Sequence, residues 1–355
     1  MSPTTLYNIN EILFRKSFST MKSSTLTLFV FLLISCTSEK KETTANSIIE
    51  LNPQQDIAIN EQLLSADHFA ITNSTMLIVE ENLEEGKFKF FNTDKNFELV
   101  YEFGKNGDGP NEFTNFISQP IQNIISNELS IFDWSSKKLR SYSIDANQAE
   151  FTVTKTKEFT LPPQFMIAQQ AAFINDTTII TVGGSSDGLV SFFNAKSGLT
   201  SYFNEIDYNI SAVGNMRSKR AHYDSYVSIN NSEKLIAVAP RYLPEMYIID
   251  FEGNVVHHYN LEPEFMVNPN FNEYDDKTYF RDVTTSENFI YTLYYGKSHN
   301  EINEIVENEN PENINISKVL VFDWSGNLVK TYQLNGGLYP YISVDKNDSR
   351  IYTNN

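Results

Sequence analysis

IFDWSSKKLRSYSI, Ile131 to Ile144, and VFDWSGNLVKTYQL, Val321 to Leu334, are nearly the same sentence written twice in one chain. The protein's two tryptophans, Trp134 and Trp324, both fall inside the shared FDWS. Three looser copies follow the same grammar: FFNTDKNFELVYEF from Phe90, FFNAKSGLTSYF from Phe192 and IIDFEGNVVHHYNL from Ile248. Each reads as two apolar residues, an Asp or Asn, a polar turn often with Gly, then an alternating apolar strand ending in Tyr or Phe. Physically this is a β-hairpin. The Asp or Asn oxygen can accept from turn amides two residues on, and Gly198, Gly253 and Gly326 can supply positive φ. The strand that follows alternates with period two, as a half-buried strand does.

Ahead of the hairpins lie further apolar, β-branched or aromatic stretches: Met76 to Glu80, Ile179 to Val182, Leu235 to Ala239 and Phe289 to Tyr295. Each follows a turn-rich group such as Asn175-Asp176 or Asn230-Asn231-Ser232. The repeating unit is therefore about four strands, the size of a propeller blade. Asn92, Asp133, Asn194, Asp250 and Asp323 anchor five units. A sixth starts at Tyr341 to Asp345, continues through Arg350 to Tyr352 and stops two strands short. Early strands near Ile48 to Leu51 and Ile57 to Ile59 can fill that gap. The expected fold is all-β, a six-bladed β-propeller closed by an N-terminal strand, because closure removes the exposed sheet edge. Almost no helix is expected, and Asn300 to Ser317 reads as an exposed acidic loop inside the fifth blade.

The bulk numbers agree. The chain has 355 residues, 41% hydrophobic and 13% aromatic, enough for a substantial strand-rich core. A net charge of -18 suits solubility and repels other anions; it is a poor surface for nucleic acid, whose phosphates need clustered Lys and Arg. The mean hydropathy of -0.34 argues against multiple membrane spans. With Cys36 as the one cysteine, no disulfide can form within the chain and no CxxC pair or cysteine zinc site is possible.

The amino terminus reads as an address. MKSSTLTLFVFLLISC, Met21 to Cys36, has a basic n-region at Lys22 and a short apolar stretch from Leu26 to Ile34. That stretch is too short to span a bilayer, which needs about 20 residues, but suits a signal peptide. Leu33-Ile34-Ser35-Cys36 is similar to the lipobox of bacterial lipoproteins, whose cysteine is acylated and becomes residue one. Residues 1–35 are thus expected to be a signal region with its start at Met21, 36–47 a polar tether and 48–355 the propeller. Thr37 after the cysteine, rather than Asp, implies an outer-membrane lipoprotein of the cell envelope held by its lipid anchor.

FGKNGDGPNEF (Phe103 to Phe113), FRDVTTSENFIYTLYYGK (Phe280 to Lys297) and the FDWSGNLVKTYQL hairpin together resemble the TolB-like six-bladed β-propeller lipoproteins of Gram-negative bacteria, over roughly residues 50 to 355. The resemblance implies a fold and a location, and no catalytic residues are carried over from it.

Motifs of chemistry are sparse. Gly184-Ser185-Ser186-Asp187-Gly188 has GxSxG spacing, but a nucleophile elbow needs a strand-to-helix turn and LVSFFN reads as a strand. Gly104, Gly107 and Gly109 are followed by Pro110 and strand-like sequence, not by the helix a phosphate loop requires. His68, His222, His257, His258 and His299 show no zinc spacing. Asp345, Asn347 and Asp348 suggest a calcium loop whose remaining ligands are absent. No cofactor is expected. Arg217, Lys219, Arg220 and His222 form a basic cluster in an acidic chain, with Arg241, Arg281 and Asp282 near later strand starts. A basic rim at a channel mouth can receive a carboxylate or an anionic glycan. Arg217, Arg220, His222, Arg241, Arg281 and Asp282 are therefore the candidate ligand-binding residues; the alternative is solvated loops balancing local acids. The expected function is a binding or scaffolding propeller for an envelope protein, peptide or glycan. The alternative is a metal-dependent propeller hydrolase or lyase, with ligands gathered from several blades in the central channel.

Overall fold

A computed structural model describes residues 4–8, 48–52, 55–57, 68–72, 75–80, 84–114, 121–123, 127–145, 151–165, 167–185, 187–204, 216–310, 313–345 and 347–354. Cys36, the apolar run before it and the tether lie outside the described residues.

All five hairpin anchors do what their chemistry predicts. Asn92 Oδ1 accepts from the Asp94 and Lys95 amides, and Asn194 Oδ1 from those of Lys196 and Ser197. Asp250 Oδ1 accepts from Glu252 and Asn254, Asp323 Oδ1 from Ser325 and Asn327, and Asp133 Oδ1 from Ser136. The turns on the preceding strand pair use the same device at Asn175, Asn230 and Ser286.

Among the described residues these turns connect the strands into six sheets, four of four strands and two of five. Sheet one begins at His68–Thr72, sheet two at Ile121–Asn123 and sheet three at Gln170–Phe173. Sheets four, five and six begin at Ser225–Asn230, Lys277–Thr285 and Ile342–Val344. Most strands pair antiparallel with their neighbours in sequence; Glu112–Phe113 and Ile48–Leu51 are parallel additions.

Central strands are apolar on both sides. Met76, Leu77, Ile78 and Val79 are all buried, as are Ile236 to Ala239. Such a sheet must be covered on both faces, and each core cluster straddles two consecutive sheets. Phe132 and Leu139 of sheet two pack with Ile179 and Phe193 of sheet three. Ala237 is small enough for the rings of Tyr226 and Phe280 to share its cluster at the junction of sheets four and five. Tyr352 of sheet six meets Ile71, Met76, Ile78 and Phe91 of sheet one. The architecture is that of an all-β propeller.

The leading strand of each sheet is an edge, and its free amides need acceptors. Polar side chains of the neighbouring sheet supply them. The Val227 amide donates to Gln170 Oε1 at 3.1 Å, the Ile342 amide to Asp282 Oδ2 at 2.9 Å and the Ile71 amide to Ser343 Oγ at 2.9 Å.

The structure departs from expectation in three places. Ile48–Leu51 does not join sheet six; it runs parallel to Leu328–Leu334 on the outside of sheet five, with Leu51 buried there. In sheet six, Arg350–Asn354 pairs with Thr4–Asn8, which in turn pairs with Gln55–Ile57. Among the described residues two short α-helices are present. Helix α1, Met216–His222, precedes sheet four, and helix α2, His299–Asn308, opens the acidic segment after Ser298, which is therefore not simply a loop. Ser298 and Glu301 form a reciprocal capping box, and Ile302 is buried. The Ser-x-x-Glu signature of that helix start stands in the sequence.

Tyr352→Ala removes the largest side chain from the junction of sheets six and one. Denaturant unfolding is expected to show a loss of roughly 3 to 5 kcal/mol, as for other large aromatic truncations in cores. A loss below about 1 kcal/mol would show that this junction is not packed.

Candidate functional site

The strand register puts one set of connections at a common end of the propeller. Ser225 lies opposite Pro240, Gln170 opposite Val182 and Lys277 opposite Ser298. The segments entering the leading strands and the second-to-third strand loops therefore meet there. Two adjoining cavities open among them. One, of about 250 Å³, is lined by Arg217, Arg220, Asp224, Arg241, Tyr242 and Glu273, among others. The second, of about 230 Å³, is lined by Thr181, Ser185, Asp187, Ser191, Tyr202 and again Arg220. Gly184 also borders both. Its φ is +71°, and a Cβ there would sit 2.5 Å from the Ile167 carbonyl oxygen, so only glycine lets the two loops close at that point.

Three of the six sequence candidates, Arg217, Arg220 and Arg241, share the first cavity. Arg217 is exposed on α1 and lies 3.6 Å from Glu273. Arg220, one turn on, is exposed and makes no ion pair among the described residues. Arg241 follows the second strand of sheet four. Its Nη1 lies 3.4 Å from Asp224 Oδ2, its guanidinium stands over the Tyr242 ring, and its buried Nε has no hydrogen-bond partner among the described residues.

Burial raises the Asp224 carboxyl above its usual range, with Arg241 opposing that rise. Burial disfavours the charge on Arg241, yet Tyr226, Tyr242 and Asp224 outweigh it and hold the guanidinium protonated. Burial pushes the Tyr242 hydroxyl up to about 12.

Arg281 sits behind this wall. Its Nη1 donates to Tyr226 OH at 2.8 Å and its guanidinium faces the Tyr341 ring. Tyr226 raises its pKa most. Asp282, its neighbour, turns the other way at a register shift and accepts from the Ile342 and Val283 amides. It joins sheets five and six rather than facing the cavities. His222 is buried; its Nδ1 lies 2.7 Å from the Ser218 carbonyl and its ring packs edge-on against Phe271. Burial lowers its pKa.

Asp224, Tyr226 and Tyr242 escape the sequence reading. Their signal is modest: a charged or phenolic residue just where a leading strand starts or a second strand ends, positions that open at a propeller mouth.

The remaining motifs resolve into architecture. The GxSxG loop runs from strand Thr178–Val182 to strand Val190–Asn194, with no helix behind it; Ser186 itself lies outside the described residues. Gly109 donates to Glu112 Oε2 in a turn that leads into a two-residue strand. Asp345 accepts from the Ser349 and Arg350 amides, and Asp348 from Tyr291 and Asn288. Their oxygens are thus already used in a turn and between sheets. Among the described residues no three His, Cys, Asp or Glu side chains converge as a metal site would require.

The fold and mouth define a β-propeller with a basic cavity at one end. A family profile described as TolB-like 6-blade propeller-like matches residues 64–347, and the chain belongs to that family. A crystal structure of a DUF4221 family member from Bacteroides vulgatus is similar at 12% identity and a TM-score of 0.50, covering 84% of this chain and 97% of that one. A putative exported protein from Bacteroides fragilis is similar at 12% identity and a TM-score of 0.46, covering 84% of this chain and 80% of its own. No curated protein matches the sequence.

Asp282→Ala leaves two buried amides without their acceptor. It is expected to cost about 1 to 3 kcal/mol in urea unfolding while leaving the cavities intact; a neutral result would remove its joining role. His222 works in the opposite direction to a salt-bridged histidine. Its folded pKa lies below the unfolded value of about 6.5, so its contribution is present above pH 6.5 and lost as pH falls below it. His222→Asn is expected to flatten the fall in stability as pH drops below about 6.5. An unchanged slope would show that His222 is not the buried titrating group.

Proposed function

We propose that the chain is an envelope lipoprotein, anchored through Cys36, whose six-bladed propeller holds a ligand or partner at its basic mouth without transforming it. The observation that carries the binding role is Arg220, a cation without an ion-pair partner among the described residues that borders two adjoining cavities. The rest of the structure supports a rigid holder: six sheets with shared cores and side chains that join one leading strand to the next. Rigid walls keep cavity-lining groups in place before a ligand arrives, which lowers the ordering cost of binding.

The anchor rests on the lipobox and on the short apolar stretch before it. Among the described residues no helix is long and apolar enough to cross a membrane, and a lipid on Cys36 supplies attachment by other means. Ring closure is part of the same proposal. Sheet six contains Thr4–Asn8 between Arg350–Asn354 and Gln55–Ile57. Cleavage before Cys36 removes that strand, and in the anchored form Gln55–Ile57 is the segment left to pair with Arg350–Asn354 and close the sixth blade.

Intact-mass measurement of membrane-extracted protein decides the anchor. The expected mass corresponds to a chain beginning at an acylated Cys36, and Cys36→Ser is expected to abolish both the lipid and the membrane association. A chain retaining residues before Cys36, recovered from the soluble fraction, would overturn the lipoprotein reading. For the binding role, absence of a specific partner or ligand combined with turnover of any substrate would overturn it.

A further inference from the structure

We propose that the two cavities together take a sugar acid, a single pyranose ring bearing a carboxylate; this rests on the binding reading above and names its ligand. The first cavity is arginine-rich and the second is a hydroxyl-lined polar cleft, and Arg220 stands where they meet. Each cavity alone is below the roughly 300 Å³ at which small-molecule sites begin, and joined they exceed it.

Arg220 provides the carboxylate end. A guanidinium presents planar paired donors that match a carboxylate's two oxygens. Arg220 is exposed and its charge is not neutralised by an ion pair among the described residues, so none of their carboxylates has to be displaced for an anion to bind there. Arg217 and Arg241 contribute from the same cavity. Their carboxylate partners stand at 3.6 Å and 3.4 Å, longer than the roughly 2.7 to 2.9 Å of a tight charged pair. Donor capacity therefore remains for an incoming anion.

The second cavity fits the ring. Thr181, Ser185 and Ser191 bring hydroxyls that both donate and accept, and Asp187 brings an acceptor for ligand hydroxyls. Tyr202, 38% exposed, and Ile167, 46% exposed, offer apolar surface to the C–H face of a sugar. A bare inorganic anion would leave all of this unused. A neutral sugar would leave Arg220 unanswered. A long polyanion would meet the repulsion of a chain carrying -18.

The test is calorimetric titration of the full chain with D-galacturonate and D-glucuronate, against galactose, glucose, acetate and phosphate. At least one uronate is expected to bind, with the matching neutral sugar and acetate about tenfold weaker or more, the size of one charged hydrogen-bonded contact. Arg220→Ala is expected to remove that advantage, and Arg220→Lys to restore it only in part. Because Arg220 is exposed, its variants should melt with the parent. Asp187→Asn is expected to weaken the uronate and leave acetate unchanged. Equal affinity for acetate or phosphate would overturn the proposal in favour of a simple anion site, and equal affinity for the neutral sugar would remove the carboxylate's role. No binding of either uronate, with a specific envelope partner still captured through this mouth, would end the sugar-acid assignment while leaving the binding reading standing.

Discussion

A sheet that is apolar on both faces has to be covered twice, and a strand at its edge has to find acceptors for its free amides. These two demands shape the junctions seen among the described residues. The first is met by stacking: Ile179 and Phe193 against Phe132 and Leu139, or Tyr352 against Met76 and Phe91. The second is met by polar side chains reaching from one leading strand to the next, as Gln170 does to Val227 and Asp282 to Ile342. Buried polar residues that would otherwise look anomalous, such as Gln170, Asp282 and Ser343, become intelligible as acceptors for edge amides.

The same arrangement separates the two ends of the molecule. The hairpin turns, held by Asn194, Asp250 and Asp323, are short and satisfied by their own side chains. They leave little room for a ligand. The opposite end carries the longer connections, including α1, α2 and the loop through Gly184. There the arginines gather, in a protein whose surface is otherwise acidic. A local excess of donors against a repulsive background favours a small anion that can enter a cavity over a large one that must lie along the surface.

Much of the fold was legible because its signals are local. FDWS repeats, Asx turns and period-two strands need only a few adjacent residues to be read, and all five anchors behave accordingly. Helix α2 was equally local, in Ser298 and Glu301, but its acidic, Asn-rich composition argued more loudly for a loop. Ile48–Leu51 was readable as a strand, though not its place: an isolated apolar strand carries no mark of which sheet edge it will join. The site was legible by half. A basic cluster stands out in an acidic chain, so Arg217, Arg220 and Arg241 could be found. Asp224, Tyr226 and Tyr242 could not, since their role depends on which blades lie side by side. His222 and Asp282 lay near the right residues in sequence, yet their side chains serve the scaffold.

The dependence of the fold on its inter-sheet junctions is most directly examined by native-state hydrogen exchange at the Val227, Ile342 and Ile71 amides. Each donates to a side chain of the adjoining sheet rather than to a strand partner. If those junctions hold the propeller together, all three exchange only through global unfolding, with the same free energy as core amides such as Ile248. Exchange at any of them through local opening, several kcal/mol below the global value, would contradict it.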